Sequence, residues 1–141
     1  MLHPKYPHVE GPQRLTKNWV LDLPVAFARR IEDGDLVFWR PGTTLFLGLY
    51  GDARRLTPME RLEDWLELID PNAYDLTRTE RDGIAILSYR LAENSDDGRL
   101  PASYNRCFST TGQLQISGYA DETQGINLIA QVVASVTWAL T

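Results

Sequence analysis

Few residues in this chain could carry chemistry, and their placement argues against it. The only histidines, His3 and His8, stand at the N-terminus. A Ser-His-Asp or Cys-His mechanism would need that segment to fold over the body of the protein. As metal ligands they lack a partner set with recognisable spacing. The single cysteine, Cys107, lies in "SYNRCFST", a strand-like run in which Ser103, Asn105 and Ser109 share its parity. Arg106 is adjacent in sequence but points to the opposite face, so no cation is placed to activate the thiol. "NSDDG" puts Asn94, Asp96 and Gly98 at alternate positions, faintly like a calcium loop, but without the leading Asp and the distal bidentate Glu. Gly48 and Gly51 are not followed by the residues of a phosphate loop. The carboxylates Glu32 and Asp35 fall in a turn. No catalytic, cofactor or metal set is therefore expected, and the reading leans towards a non-enzyme.

The elements that would have to position any site are easier to read. "NWVLDLP" is a short strand, Trp19 to Leu23, stopped at Pro24; Glu32 to Asp35 is a turn. "LVFWRPGTTLFLGLY" reads as two strands about a Pro-Gly turn. It is apolar on both faces: Leu45, Leu47 and Leu49 oppose Phe46 and Tyr50, and Leu36 and Phe38 oppose Val37 and Trp39. "LTPMERLEDWLELIDP" is a helix, with Thr57 as cap, Pro58 at the first position and Glu60 closing a capping box. Met59, Leu62, Trp65, Leu66 and Ile69 make its apolar stripe; Glu60, Glu63, Asp64 and Glu67 make a solvated back. Strands over Tyr74–Glu80 and Ile84–Leu91 flank Asp82-Gly83, a hairpin signal. A second hairpin joins Ser103–Thr110 to Gln113–Tyr119.

The last stretch, Thr123 to Thr141, has helical period and no charged residue. Ile126, Ile129, Ala130, Val133, Val136, Thr137 and Leu140 share its inner side. Leu128, Val132 and Trp138 flank Asn127, Gln131 and Ser135 on the outer one. The polar stripe and the lack of basic flanks argue against a membrane span. The order strands, helix, strands, helix predicts an α+β fold: a mainly antiparallel sheet of about six or seven strands sandwiched by two helices in α/β/α layers. Residues 1–17 read as an extended N-terminal arm and 18–141 as one domain.

At 141 residues, 43% apolar and 23% charged, the chain has the composition of one globular domain. Its net charge of −5 argues against a nucleic-acid partner. One cysteine suits a reducing compartment, and "MLHPKYPHVEGPQR" has no apolar core of the secretory kind, so the expected location is cytoplasmic.

The run Trp19-x-Leu21-x-Leu23-Pro24, followed by two strands, an amphipathic helix, hairpins and a terminal helix, resembles the Mog1/PsbP/DcrB-like group over roughly residues 18 to 140. The resemblance implies an antiparallel sheet layered with helices and mostly non-enzymatic roles, as binding partners, photosystem subunits and secretion accessories. No functional residue of that group carries over by position. The expected function is a non-catalytic protein-binding or accessory domain of bacterial type (immunity, chaperone-like or secretion accessory). Its partner is a protein or a second copy, met through Phe46, Tyr50, Leu128, Val132 and Trp138. The alternative is a small-ligand binder or hydrolase, with Tyr89, Tyr104 and Arg106 lining a pocket between sheet and helix.

Overall fold

A computed structural model describes residues 2–92 and 100–139. Among these described residues nine strands and two helices follow in the order β1 (His8–Arg14), β2 (Trp19–Glu32), β3 (Asp35–Arg40), β4 (Thr43–Gly51), α1 (Pro58–Leu66), β5 (Tyr74–Arg81), β6 (Ile84–Leu91), β7 (Ala102–Phe108), β8 (Gly112–Ala120), α2 (Thr123–Ala134) and β9 (Thr137–Trp138). All form one antiparallel sheet in the spatial order β1-β2-β3-β4-β8-β7-β6-β5, with β9 paired to β2. The fold is α+β and mainly antiparallel, as expected.

The strand count exceeds the expected six or seven because two strands carry no apolar alternation of their own. β1 lies inside the expected arm, residues 1–17, and is held by β2. β9 is only two residues long. Pro24 does not stop β2: it falls where the pairing with β1 breaks, between Gly11↔Leu23 and Val9↔Phe27, so its missing N–H interrupts no ladder. Hairpin turns behave as their residues require. Asp33-Gly34 and Asp82-Gly83 both adopt positive φ at each central position, the type I′ geometry that matches strand twist.

The two apolar faces of the sheet are closed differently. On the inner face, Leu21, Leu23, Phe38, Leu45, Leu47, Ile86, Leu114 and Ile116 pack with Ile129, Val132, Val133 and Val136 of α2 and its exit. Two glycines set this approach. A Cβ on Gly118 would lie 2.7 Å from Ile129, and one on Gly125 would lie 2.6 Å from Ala120 and 2.8 Å from Thr43. Val132, expected on the outer side of the helix, is fully buried. The cause is that α2 packs on β2 as well as on β4, β7 and β8, so its buried stripe is wider than one flat sheet would make it.

On the outer face, α1 places Leu62 against Ala85, Leu87, Tyr89 and Phe108. Its capping box forms as read: Thr57 accepts from the Glu60 N–H at 3.1 Å, and Glu60 from the Thr57 N–H at 2.9 Å. α1 covers the β6–β7 end alone, so the expected full helical layer on each side is not what is seen. Over β3 and β4 the cover is made by side chains. Arg30 lies 4.2 Å above the Trp39 ring, Tyr6 meets Trp39 edge-on at 4.9 Å, and Phe46 meets Tyr119 edge-on at 5.7 Å.

An alanine in place of an exposed helical glycine normally stabilises by about 1 kcal/mol. At Gly125 the sign should reverse. Gly125→Ala is expected to cost about 1–3 kcal/mol by overpacking against Ala120 and Thr43, read as a lower urea midpoint. A raised midpoint would contradict this seating of α2.

Candidate functional site

The residues singled out for chemistry stay apart. Cys107 is buried in the inner core, and desolvation pushes its thiol up to about 12, so it is a packing residue rather than a nucleophile. His8 Nε2 lies 2.8 Å from the His3 carbonyl oxygen, both on the exposed N-terminal segment. The calcium-like loop at Asn94, Asp96 and Gly98 lies outside the described residues, as does Leu140. Among the described residues no three His, Cys, Asp or Glu gather as a metal set, and no helix is long and apolar enough to cross a membrane.

Tyr89, Tyr104 and Arg106 do come together, on the outer face. The two tyrosine rings stack at 5.6 Å, and the Arg106 guanidinium lies 3.8 Å over Trp65 of α1 while donating to Gln113 Oε1 at 3.2 Å. Burial holds Arg106 below its ordinary basicity, opposed by the Tyr89 hydroxyl and by Tyr50. This cluster seats α1; neither Tyr104 nor Arg106 lines the groove between α2 and the sheet.

Arg61, a residue outside the helix's expected apolar stripe, completes that seating. It is 3% exposed. Its Nη2 donates to the carbonyls of Arg54 and Thr110 at 2.8 Å each and of Asp52 at 3.3 Å, and its Nη1 pairs with the Asp52 carboxylate at 2.5 Å. On a helical wheel Arg61 falls about 40° beyond Trp65, and that position at the margin of the apolar stripe is the signal for it. Arg54 grips the same Asp52 carboxylate at 2.7 Å and Asp64 of α1 at 3.1 Å.

Of the five expected partner contacts, the structure joins two. Tyr50 and Trp138, far apart in sequence, border one notch of about 220 Å3 with Trp19, Leu49 and Thr111. β9 makes this possible: Trp19 and Trp138 are register partners with rings 6.3 Å apart, and the Ala139 N–H donates to Asn18 O at 3.0 Å. Leu49 and Tyr50 are exposed, at 40% and 51%. The Tyr50 ring folds back over Gly48, where a Cβ would sit 2.9 Å from it. Phe46 lies instead on the outer face with Tyr119, Val132 is core, and Leu128 borders a wide polar hollow of about 650 Å3 beside Val25, Arg40 and Gln131.

One further feature was legible only in part. On β6 the inward positions run Ile84, Ile86, Ser88, Arg90, and on β7 Cys107, Asn105, Ser103, so the inner face turns from apolar to hydrogen-bonding along the strands. The polar half floors a groove of about 470 Å3 whose wall is Ile126, Ala130 and Val133 of α2. The alternation in β6 and β7 carried this signal; the helix wall did not exist until the chain folded.

Comparison of the chain with protein families, with curated proteins and with solved structures finds no match.

Arg54 and then Arg61 hold the Asp52 carboxyl far below the ordinary carboxylate range. Its charge therefore stabilises the fold fully above the unfolded aspartate value of about 3.9, and that contribution is lost as pH falls further towards the folded value. The stability gap between wild type and Asp52→Asn should be constant from pH 7 to about pH 4, then narrow in acid. Urea titrations across that range check it; a gap that persists unchanged through acid contradicts it. Arg61→Met, which orphans the carbonyls, is expected to cost about 3 kcal/mol.

Proposed function

We propose that this protein is a non-catalytic accessory module that binds another protein through the Leu49–Tyr50–Trp138 notch. The observation that carries the reading is the notch itself: two aromatic residues from β4 and β9, with exposed Leu49, around a hollow open to solvent. Its volume of about 220 Å3 is below the range of small-molecule sites, about 300–1,000 Å3. One apolar side chain of a partner fits such a space. Aromatic residues around a small pocket are the composition of binding hot spots, where a few anchors dominate affinity. The element order that resembles the Mog1/PsbP/DcrB-like group supports the same class of role, since that group is mostly non-enzymatic. Bacterial accessory work of the immunity, chaperone-like or secretion type, in the cytoplasm, is the setting that fits this reading.

The partner is an apolar anchor segment of a different chain. A stable homodimer needs about 800 Å2 of complementary surface from each copy, whereas the exposed apolar residues are scattered: Leu49 and Tyr50 border the hollow, while Ile31, Leu68 and Leu76 do not.

Recovery of the native complex from the source cell, followed by reconstitution with the purified partner, tests this. Tyr50→Ser and Trp138→Ser are each expected to weaken binding by about 2 kcal/mol, roughly thirtyfold. Ile31→Ser, also apolar and 62% exposed but no part of the notch lining, should leave it unchanged. Equal binding by all three variants overturns the notch. Concentration-dependent doubling of the lone chain, abolished by Trp138→Ser, would make the partner a second copy instead.

A further inference from the structure

The groove on the inner face is separate from the notch and shares no residue with it. Its floor is a polar row laid across three strands. Thr77 is the register partner of Ser88, and Ser88 of Asn105. The next row holds Arg90 opposite Ser103. Asn105 is 5% exposed and donates its amide to Ser103 Oγ and to the Ile116 carbonyl, both at 3.1 Å, so the row is held rigidly. Facing it across the groove are Ile126, Ala130 and Val133 of α2. One wall is apolar and the floor hydrogen-bonds, and the volume of about 470 Å3 lies within the range of ligand pockets.

Arg90 is the charged group with donors to spare. Among the described residues its one hydrogen bond is from Nη2 to the Pro101 carbonyl at 2.9 Å. Nη1 comes no closer than 3.9 Å to Asp75, which is two-thirds exposed, and Nε has no partner. A guanidinium has five N–H donors, and among the described residues one of them is used. The groove's other arginine, Arg81, is committed to the C-terminus of α2, donating to Ala134 O at 2.7 Å and Val136 O at 2.9 Å. The anionic side chains on the rim, Asp75 and Glu80, disfavour a ligand of high negative charge.

We infer that the groove between α2 and β5–β7 binds a small amphipathic monocarboxylate, its head on Arg90 beside Ser88 and Ser103 and its tail along Ile126, Ala130 and Val133. One arginine with neighbouring hydroxyls matches a single carboxylate. A phosphate dianion would call for more cations or a ring of backbone N–H groups. The apolar wall selects for a tail and against acetate-sized anions.

The test is a titration of the full chain with sodium octanoate below its micellar concentration, followed by 1H–15N spectra. Acetate (head without tail) and 1-octanol (tail without charge) serve as comparisons. Saturable shifts are expected at Ser88, Arg90, Asn105 and Ala130, with each comparison ligand roughly tenfold or more weaker, the scale of one charge-assisted hydrogen bond. Arg90→Gln should weaken octanoate about tenfold. Ala130→Phe fills the groove from the exposed side of α2 without touching Arg90, and decides the matter alone if Arg90→Gln loses the fold. Tyr50→Ser should leave octanoate affinity unchanged. The inference is overturned by absence of saturation, by equal binding of 1-octanol, by undiminished binding to Ala130→Phe, or by shifts confined to the notch.

Discussion

The close approach of α2 to the inner face of the sheet is the constraint on which the rest of the molecule turns. Gly118 leaves room for Ile129, and Gly125 lets the first turn settle on Ala120 and Thr43. The helix is then fixed at its other end, where Arg81 donates to two terminal carbonyls and the Asp22 N–H donates to Ser135 Oγ at 2.9 Å. A cation at a helix C-terminus also complements the macrodipole. From that anchored end the chain returns as β9, which delivers Trp138 to Trp19. The notch and the groove both follow from this one placement, the first from where α2 stops and the second from what it leaves uncovered.

The outer face solves the same problem with less secondary structure. α1 is short, and it is held by Arg61 reaching carbonyls on both the β4–α1 connection and the β7–β8 turn. Such a residue is costly to bury without partners; here three carbonyls take Nη2 and the Asp52 carboxylate pairs with Nη1, while Nε has no partner. Beyond α1, Trp39 is covered by Arg30 and by Tyr6 from the N-terminal segment. The free edge at β5 carries Asp75, Arg78 and Glu80 with all but its last residue exposed, the pattern that discourages edge-to-edge pairing.

The two surfaces differ in chemistry in a way that suits different occupants. The notch is small and aromatic; the groove is larger, with a polar row on its floor and the Arg90 guanidinium at its side. A module with both could hold a protein anchor at one place and respond to a small anion at another. They share no lining residue, so their occupants need not compete.

Local chemistry determined much of this protein in advance. Alternation, the Asp-Gly turns and the Thr57–Glu60 box are short-range rules, and they specified the strands of both hairpins, the start of α1 and the antiparallel class correctly; α1 itself ends at Leu66, short of the expected Asp70-Pro71 stop. The double apolar face of β3 and β4 likewise announced that both sides of the sheet would be covered. Position across the sheet was decided only by tertiary structure. β1 has no apolar stripe and exists because β2 offers a partner edge; α2 ends at Ala134, not Thr141, because Arg81 and Asp22 stop it there. Val132 is core rather than contact because β2 packs on the helix besides β4, β7 and β8, and Tyr50 borders the same notch as Trp138 because β9 pairs with β2. A residue's own neighbours dictate its face, but which distant face it meets depends on packing that no local spacing encodes.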